Sequence, residues 1–331
     1  MDCVRVGDFK PEWGWAQPEQ GPARTRWCCE QLEEGRVLLL DSIPFDLPET
    51  ARDFLRSSGR FNLPGKAPIT FTPETQSLRA FRGATHYQRD RMTEILRHCS
   101  QYIAEFLSQL LSPYAHYWTE GDVTFRPHSE GHHELPLQRR EDLLHVDALA
   151  ALPTAGARIL RCFSNLHPTQ SQVWCTTESF PEVATQFAAD CGLNRFALQE
   201  PPAGERLTTA LKRTLGMSSP VRTPYERFMW RFNGYLKQNT SFQACAPKFG
   251  MIFPPNSTWV CFTDAFPHAM LESQFALEQT LLVPVHAMLA PEKSPLRILE
   301  ALAEHPLTSS GRGRSISKYP VPATRPVTAR P

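Results

Sequence analysis

Apolar residues recur every three or four positions between Tyr87 and Leu111, at Met92, Ile95, Leu96, Cys99, Ile103, Phe106, Leu107 and Leu110. Arg89, Arg91, Glu94, Arg97 and Glu105 take the opposite side, and this spacing predicts one long amphipathic helix. A second stripe (Tyr225, Phe228, Met229, Phe232, Tyr235, Leu236) predicts a helix opening at Pro224, with Thr223 as its cap. Pro48 to Leu55, Glu178 to Asp190 and Gly204 to Leu215 read as further helices. Short runs rich in β-branched and aromatic residues predict strands at Val37–Leu40, Asp122–Arg126, Arg158–Asn165, Gln172–Thr176, Thr258–Thr263 and Phe275–Pro284. Leu143 to Ala148 is a further apolar run, interrupted by two polar residues. Residues 58–83 read as loop, dense in Gly and Pro, and Phe253 to Ser257 as a turn.

The chain has 331 residues, enough for one large domain or two ordinary ones. We divide it into an extended N-terminal arm (1–35), a single domain (36–305) and a basic tail (306–331) that is low in apolar residues and expected to be disordered. The formal net charge of +1 gives no reason to expect a nucleic-acid partner. No apolar run is long enough to span a bilayer, and the polar start, with Asp2, Asp8 and Glu12, does not resemble a secretory signal. The 9 cysteines include no C-x-x-C, which disfavours a zinc knuckle and fits thiols kept reduced in a cytosol. The tail carries Arg312, Arg314, Lys318, Arg325 and Arg330 without an acid. It serves either as a solubilising tail or as a peripheral contact with an anionic membrane surface.

Candidate chemistry centres on the run Leu143-Leu144-His145-Val146-Asp147-Ala148. On a strand, positions i and i+2 share a face, so His145 and Asp147 would project together. A histidine and a carboxylate side by side are two of the three members of the facial triad that binds non-haem Fe(II), and His268, beyond the strand ending at Thr263, is the proposed third. The alternative is a hydrogen-bonded strand histidine with a turn-capping aspartate, and a structural turn histidine at 268. Arg158 and Arg161 lie an odd number of positions apart, so at most one faces the His145 side. A buried guanidinium there would grip a dicarboxylate co-substrate. His128, His132 and His133 lie on a Gly-containing loop with no known ligand spacing, and read as a solvated or substrate-facing loop.

Several blocks taken together resemble the bacterial Kdo hydroxylases: Leu144 to Ala148, Arg158 to Asn165, Pro224 to Met229, Thr258 to His268 and Ala276 to Thr280. The resemblance covers roughly residues 36–285. It implies a mixed α/β chain with a mainly β core, a double-stranded β-helix (jelly roll, cupin-like) flanked by helices. It implies Fe(II) held by His145, Asp147 and His268, with 2-oxoglutarate as co-substrate and ascorbate as reductant in vitro. No Arg or Lys occurs from Ala269 to Pro284, where some relatives of this fold place the co-substrate anchor. That role therefore passes to Arg161 first and Arg158 second, with Asn165 beside them. The implied acceptor is the Kdo sugar of Kdo-bearing lipid A, converted to Ko. Arg126, Arg139 and Arg140 are candidates for its carboxylate, and the implied location is the cytoplasm, at the inner face of the inner membrane. The rival readings are a 2-oxoglutarate hydroxylase of a protein side chain or small metabolite, and a non-catalytic sugar- or lipid-binding module of the same fold.

Overall fold

The structure, a computed structural model, describes residues 2–8, 21–61, 67–129, 135–149, 154–198 and 222–308. Eleven strands are seen: β1 (Cys3–Arg5), β2 (Val37–Leu40), β3 (Ile69–Thr72), β4 (Ser77–Arg79), β5 (Thr119–Arg126), β6 (Arg158–Asn165), β7 (Gln172–Thr176), β8 (Phe249–Phe253), β9 (Thr258–Phe262), β10 (His268–Glu272) and β11 (Ala276–Val283). Eight form one sheet in the order β1-β2-β9-β6-β11-β5-β3-β4, antiparallel except for β1 with β2, and three form a second sheet, β10-β7-β8.

The helices are α1 (Gly21–Glu33), α2 (Glu49–Ser57), α3 (His86–Leu110), α4 (Ser112–Ala115), α5 (Phe180–Phe187), α6 (Leu193–Leu198), α7 (Pro224–Gln238), α8 (Thr240–Cys245) and α9 (Pro295–Ala303). α3 is the long helix that the apolar spacing predicts. It opens with a capping box between Thr85 and Gln88 and buries Met92, Ile95, Leu96, Cys99, Ile103 and Leu107. Gln279 of β11 donates to Ser100 Oγ of α3 at 3.0 Å, which marks one face of the large sheet as the helix-covered face. α7 begins with the cap expected at Thr223, its side chain and that of Glu226 bonding reciprocally. Tyr225, Phe228, Met229, Phe232 and Leu236 are buried against α5, α6 and α9 in a second apolar cluster.

Several expectations need correction. Residues 21–33 are not an extended arm but the helix α1, which buries Cys28, Cys29 and Leu32 in the main core. Its Glu33 is buried, accepting from Tyr114 Oη at 2.6 Å and from the backbone N–H groups of Leu289 and Ala290. The stretch 58–83 contains the hairpin β3–β4 instead of loop alone. β8, β10 and α9 are additional elements: β8 and β10 are short and half exposed, with little alternation to read. The tail begins later than Pro306, since Leu307 is fully buried and its carbonyl accepts from the Tyr225 N–H. The helix expected at 204–215, His132, His133 and the basic tail from residue 309 lie outside the described residues. All nine cysteines are free. Among the described residues no helix is long and apolar enough to cross a membrane.

Candidate metal centre

His145 and Asp147 do not lie on a regular strand. The backbone of His145 exchanges two hydrogen bonds with that of His268 (3.0 and 2.9 Å) in an isolated bridge, and the Asp147 N–H donates to Thr263 O at 3.1 Å. These bonds hold the segment extended beside β10, so the i, i+2 alternation survives without a strand. His268 opens β10, paired with Thr176 of β7. One ligand atom from each of His145, Asp147 and His268 lies within 4.8 Å of the others.

The imidazole orientations follow from local bonds. Leu143 O lies 2.7 Å from His145 Nδ1, and Phe266 O lies 3.3 Å from His268 Nδ1. A backbone carbonyl accepts only, so each Nδ1 carries a proton and each Nε2 is left to face the interior. The His268 ring stacks on Trp174 (centroids 5.3 Å apart, 19° between planes), which fixes its plane. Burial, reinforced by His145, lowers the His268 pKa to about 4, so the ring is neutral at neutral pH, the form that binds a metal. Asp147 has its own arrangement. Its Oδ1 is 3.6 Å from His145 Nε2, while its Oδ2 is 3.0 Å from Arg161 Nε. Burial opposes its charge, but the Arg161 guanidinium beside it outweighs that and holds the carboxyl well below the usual carboxylate range. Two imidazole nitrogens and one carboxylate oxygen on one side of a small space suit Fe(II) as a donor set.

A buried ionic layer lies behind the carboxylate, and sheet register explains it. Glu278 on β11 is diagonal to Arg161 on β6 and to Arg126 on β5, so three neighbouring strands point one charged side chain each to the same face. Arg161 Nη1 donates to Glu278 Oε1 at 2.9 Å, and Arg126 Nε lies 3.5 Å from Glu278 Oε2. Arg126 Nη2 reaches Glu141 Oε2 at 3.1 Å. Asp147, Glu141 and Glu278 thus face Arg126 and Arg161. Among the described residues, three carboxylates stand against two guanidiniums, a balance that favours a cation beside them.

The arginine expectations divide cleanly. Arg161 reaches the triad. Arg158 faces the other way: its Nε lies 3.0 Å from Asp264 Oδ2, its guanidinium lies over the Phe262 ring at 4.1 Å, and it is 1% exposed. Arg158 therefore has no access to a co-substrate at His145. Asn165 is also removed from that role, because its amide bonds to Gln170 O, Phe253 O and Pro254 O, and its Oδ1 accepts from the His167 N–H. It organises a turn at the far end of β6. Arg126 is buried within the ionic layer, Arg140 pairs with Asp142 (3.1 and 2.5 Å), and Arg139 is exposed. His128 lies 3.0 Å from the carbonyl of Gly59. Sequence reasoning assigned no role to Glu141, Trp174 or Glu278. Only Glu278 carries a readable signal, as an acid inside the otherwise uncharged run Ala276 to Val283.

The family model for 3-deoxy-D-manno-oct-2-ulosonic acid (Kdo) hydroxylase matches residues 15–306. The chain belongs to the Kdo hydroxylase family. Among solved structures it is similar to the Kdo hydroxylase KdoO, a non-heme Fe(II) alpha-ketoglutarate dependent dioxygenase, in complex with cobalt(II). That match has 28% identity and a TM-score of 0.77, and it covers 94% of this chain and 99% of that one. The same enzyme with alpha-ketoglutarate and Fe(III) gives 27% identity and a TM-score of 0.77, covering 95% and 100%. Its complex with succinate and Fe(III) gives 27% and 0.75, covering 94% and 99%. The family match includes α1, in agreement with the packing of that helix into the core. No curated protein sequence matches the chain.

Proposed function

We propose that this chain hydroxylates Kdo in an Fe(II)- and 2-oxoglutarate-dependent reaction, with His145 Nε2, Asp147 Oδ1 and His268 Nε2 as the iron ligands. The observation that carries this reading is the convergence of those three donors, the histidines oriented by hydrogen bonds at Nδ1 and Asp147 by its ion pair with Arg161, in a member of the Kdo hydroxylase family. When bound, Fe(II) supplies the oxidation, in which oxygen and 2-oxoglutarate yield succinate and carbon dioxide and one oxygen atom passes to the sugar.

The protein's part is positioning. Leu143 O and Phe266 O keep the Nδ1 protons in place, and Trp174 fixes the His268 ring. Arg161 holds Asp147 Oδ2, so that Oδ1 alone faces the histidines. Arg161 is also the anchor for 2-oxoglutarate: its fork has five N–H donors, more than Asp147 and Glu278 use. Arg126, with Arg139 and Arg140 nearer the surface, is assigned to the acceptor's carboxylate.

The sheet order supports reading the core as a double-stranded β-helix. From β5 to β11, with the His145 segment counted as a strand, successive strands go alternately to β9-β6-β11-β5 and to a layer in which His145, β10, β7 and β8 are neighbours, except that β8 follows β7 within that layer. The acceptor is Kdo carried on lipid A, hydroxylated at the methylene beside the anomeric carbon to give Ko. The enzyme works in the cytoplasm at the inner face of the inner membrane, where the basic tail, outside the described residues, would meet anionic lipid.

The test is to incubate the protein with Fe(II), ascorbate, 2-oxoglutarate and Kdo-bearing lipid A in air, beside His145→Ala, and to analyse the lipid by mass spectrometry. Gain of one oxygen on the Kdo unit in the wild type alone is the expected result. Succinate formed without oxygen on the lipid would keep the iron site and reject the acceptor.

A further inference from the structure

The segment that carries His145 and Asp147 has the sheet along one edge and helices along the other. Its odd-numbered residues bond to the sheet side: His145 exchanges two backbone hydrogen bonds with His268, and the Asp147 N–H donates to Thr263 O. In an extended chain the intervening residues turn their N–H and C=O groups to the opposite edge, where each needs a partner if it is withdrawn from water. Carboxamide side chains take the place of a neighbouring strand there. Gln243 Oε1 accepts from the Leu144 N–H at 3.0 Å, and Gln243 Nε2 donates to Leu144 O at 2.9 Å. Asn233 Nδ2 donates to Val146 O at 2.7 Å. The Leu144 N–H only donates and Leu144 O only accepts, which fixes the orientation of the Gln243 amide.

Gln243 is itself held by the corner between α7 and α8. Its Nε2 also donates to Leu236 O at 2.9 Å, in the last turn of α7, where a helix leaves carbonyls without an intrahelical partner. Asn239 closes α7 and opens α8, its side chain accepting from the Phe242 N–H at 3.0 Å. Phe242 is buried, edge-on to Phe187 with ring centroids 5.4 Å apart. The Gln243 amide thus spends its oxygen and both of its N–H groups on joining Leu144 to α7. Leu144 and Val146 also bury their side chains in the apolar cluster that contains Phe228, Phe232 and Leu236 of α7. Even-numbered residues therefore lock the segment to the helices, and odd-numbered ones present His145 and Asp147 to the interior.

We infer that Gln243 and Asn233 are positioning residues of the metal centre, standing in for a strand and setting the register at which His145 and Asp147 meet His268. This rests on the metal reading of the triad and deepens it. A slip of the segment along β10 would carry two of the three donors away from the third, so bonds on the helix side govern the ligand geometry without touching the metal.

The experiment compares wild type, Gln243→Met, Asn233→Ala and Phe242→Leu, the last loosening the same corner while keeping both amides. The readouts are amide hydrogen exchange at Leu144 in the metal-free protein, Co(II) affinity, the visible spectrum of bound Co(II), and Tm. For Gln243→Met the expected result is about tenfold faster exchange at Leu144, about tenfold weaker Co(II) and a shifted Co(II) spectrum. Asn233→Ala loses one bond and should weaken Co(II) about threefold. Phe242→Leu should lower Tm and leave Co(II) affinity and spectrum as in wild type. A lower Tm for both amide variants, with unaltered Co(II) affinity and spectrum in the folded protein, would make the amides merely structural and overturn the assignment. So would a Phe242→Leu variant that disturbs Co(II) as much as Gln243→Met. Should Gln243→Met fail to fold, Gln243→Glu carries the same test, since a carboxylate accepts from the Leu144 N–H but donates to neither Leu144 O nor Leu236 O. If Co(II) binds wild type no better than His145→Ala, the metal reading fails separately. Exchange then decides the positioning alone: faster exchange at Leu144 in Gln243→Met upholds it, and equal exchange rejects it.

Discussion

Arg158 and Arg161 stand three residues apart on the same strand, both are withdrawn from solvent, and both meet an aspartate at 3.0 Å. They differ in everything else. Arg158 has one carboxylate, Asp264, and the face of Phe262, and each member of that ion pair is 1% exposed. Burial raises the Asp264 carboxyl even though Arg158 opposes the shift. Arg161 is shared by Asp147 and Glu278, and both Asp147 and Arg161 keep some access, at 14% and 15%. The first pair is closed, with its charges spent on each other. The second belongs to a layer in which, among the described residues, carboxylates outnumber guanidiniums, next to the imidazoles of His145 and His268. A buried arginine is therefore no sign of a binding site in itself. What distinguishes the two is whether the partner carboxylate has other work.

The largest expected effect comes from breaking the closed pair. Arg158→Met strands the Asp264 carboxylate in the core and should lower unfolding free energy by about 3–5 kcal/mol in denaturant titrations. Arg158→Met/Asp264→Leu should recover most of this, because the uncompensated charge is then gone. Turnover per folded molecule should change little. A variant that folds normally but loses 2-oxoglutarate binding would reverse the roles assigned to the two arginines.

The open pair should respond to metal. Co(II) at 100 times its Kd should stabilise the wild type by about 2.7 kcal/mol, seen as a rise in Tm. Asp147→Ala and His268→Ala should lose that rise, and the double variant at 158 and 264 should keep it. With Co(II) bound, Arg161→Met should weaken 2-oxoglutarate about 100-fold in a titration, the scale of a lost charge-assisted contact. A smaller loss than that seen for Arg126→Met would move the anchor to Arg126.

How much of this could be read in the chain depended on where the physics was local. The periodicity of α3 and α7 and the caps at Thr85 and Thr223 are properties of neighbouring residues, and apolar spacing revealed both helices. The opposite facing of Arg158 and Arg161 followed from alternation alone, and the pairing of His145 with Asp147 needed only that the segment be extended. α1 was missed because its buried face is two cysteines, a leucine and a glutamate, and Glu33 is accounted for only by the distant Tyr114, Leu289 and Ala290. The destination of Arg158 was equally hidden, since Asp264 lies more than a hundred residues away on a turn after β9. Glu278 was visible as an oddity in its strand, but its two partners depend on sheet register, which no single segment contains.

Glu278 gives the finest test of the comparison. It contributes no donor to the triad and lies between Arg161 and Arg126, diagonal to both. If the open pair is a positioned anchor, Glu278→Gln should keep a hydrogen-bonding oxygen for Arg161 Nη1 while removing the charge that holds the two guanidiniums together. The KM for 2-oxoglutarate should then rise about tenfold, near 1.4 kcal/mol, with Co(II) affinity unchanged. Glu278→Ala, which also removes the acceptor, should do more. A purely structural glutamate predicts the other pattern: lower stability for both variants and an unaltered 2-oxoglutarate KM in the fraction that folds. Measuring Tm, Co(II) affinity and the 2-oxoglutarate KM on the same preparations separates the two, because only positioning moves the last without the first two.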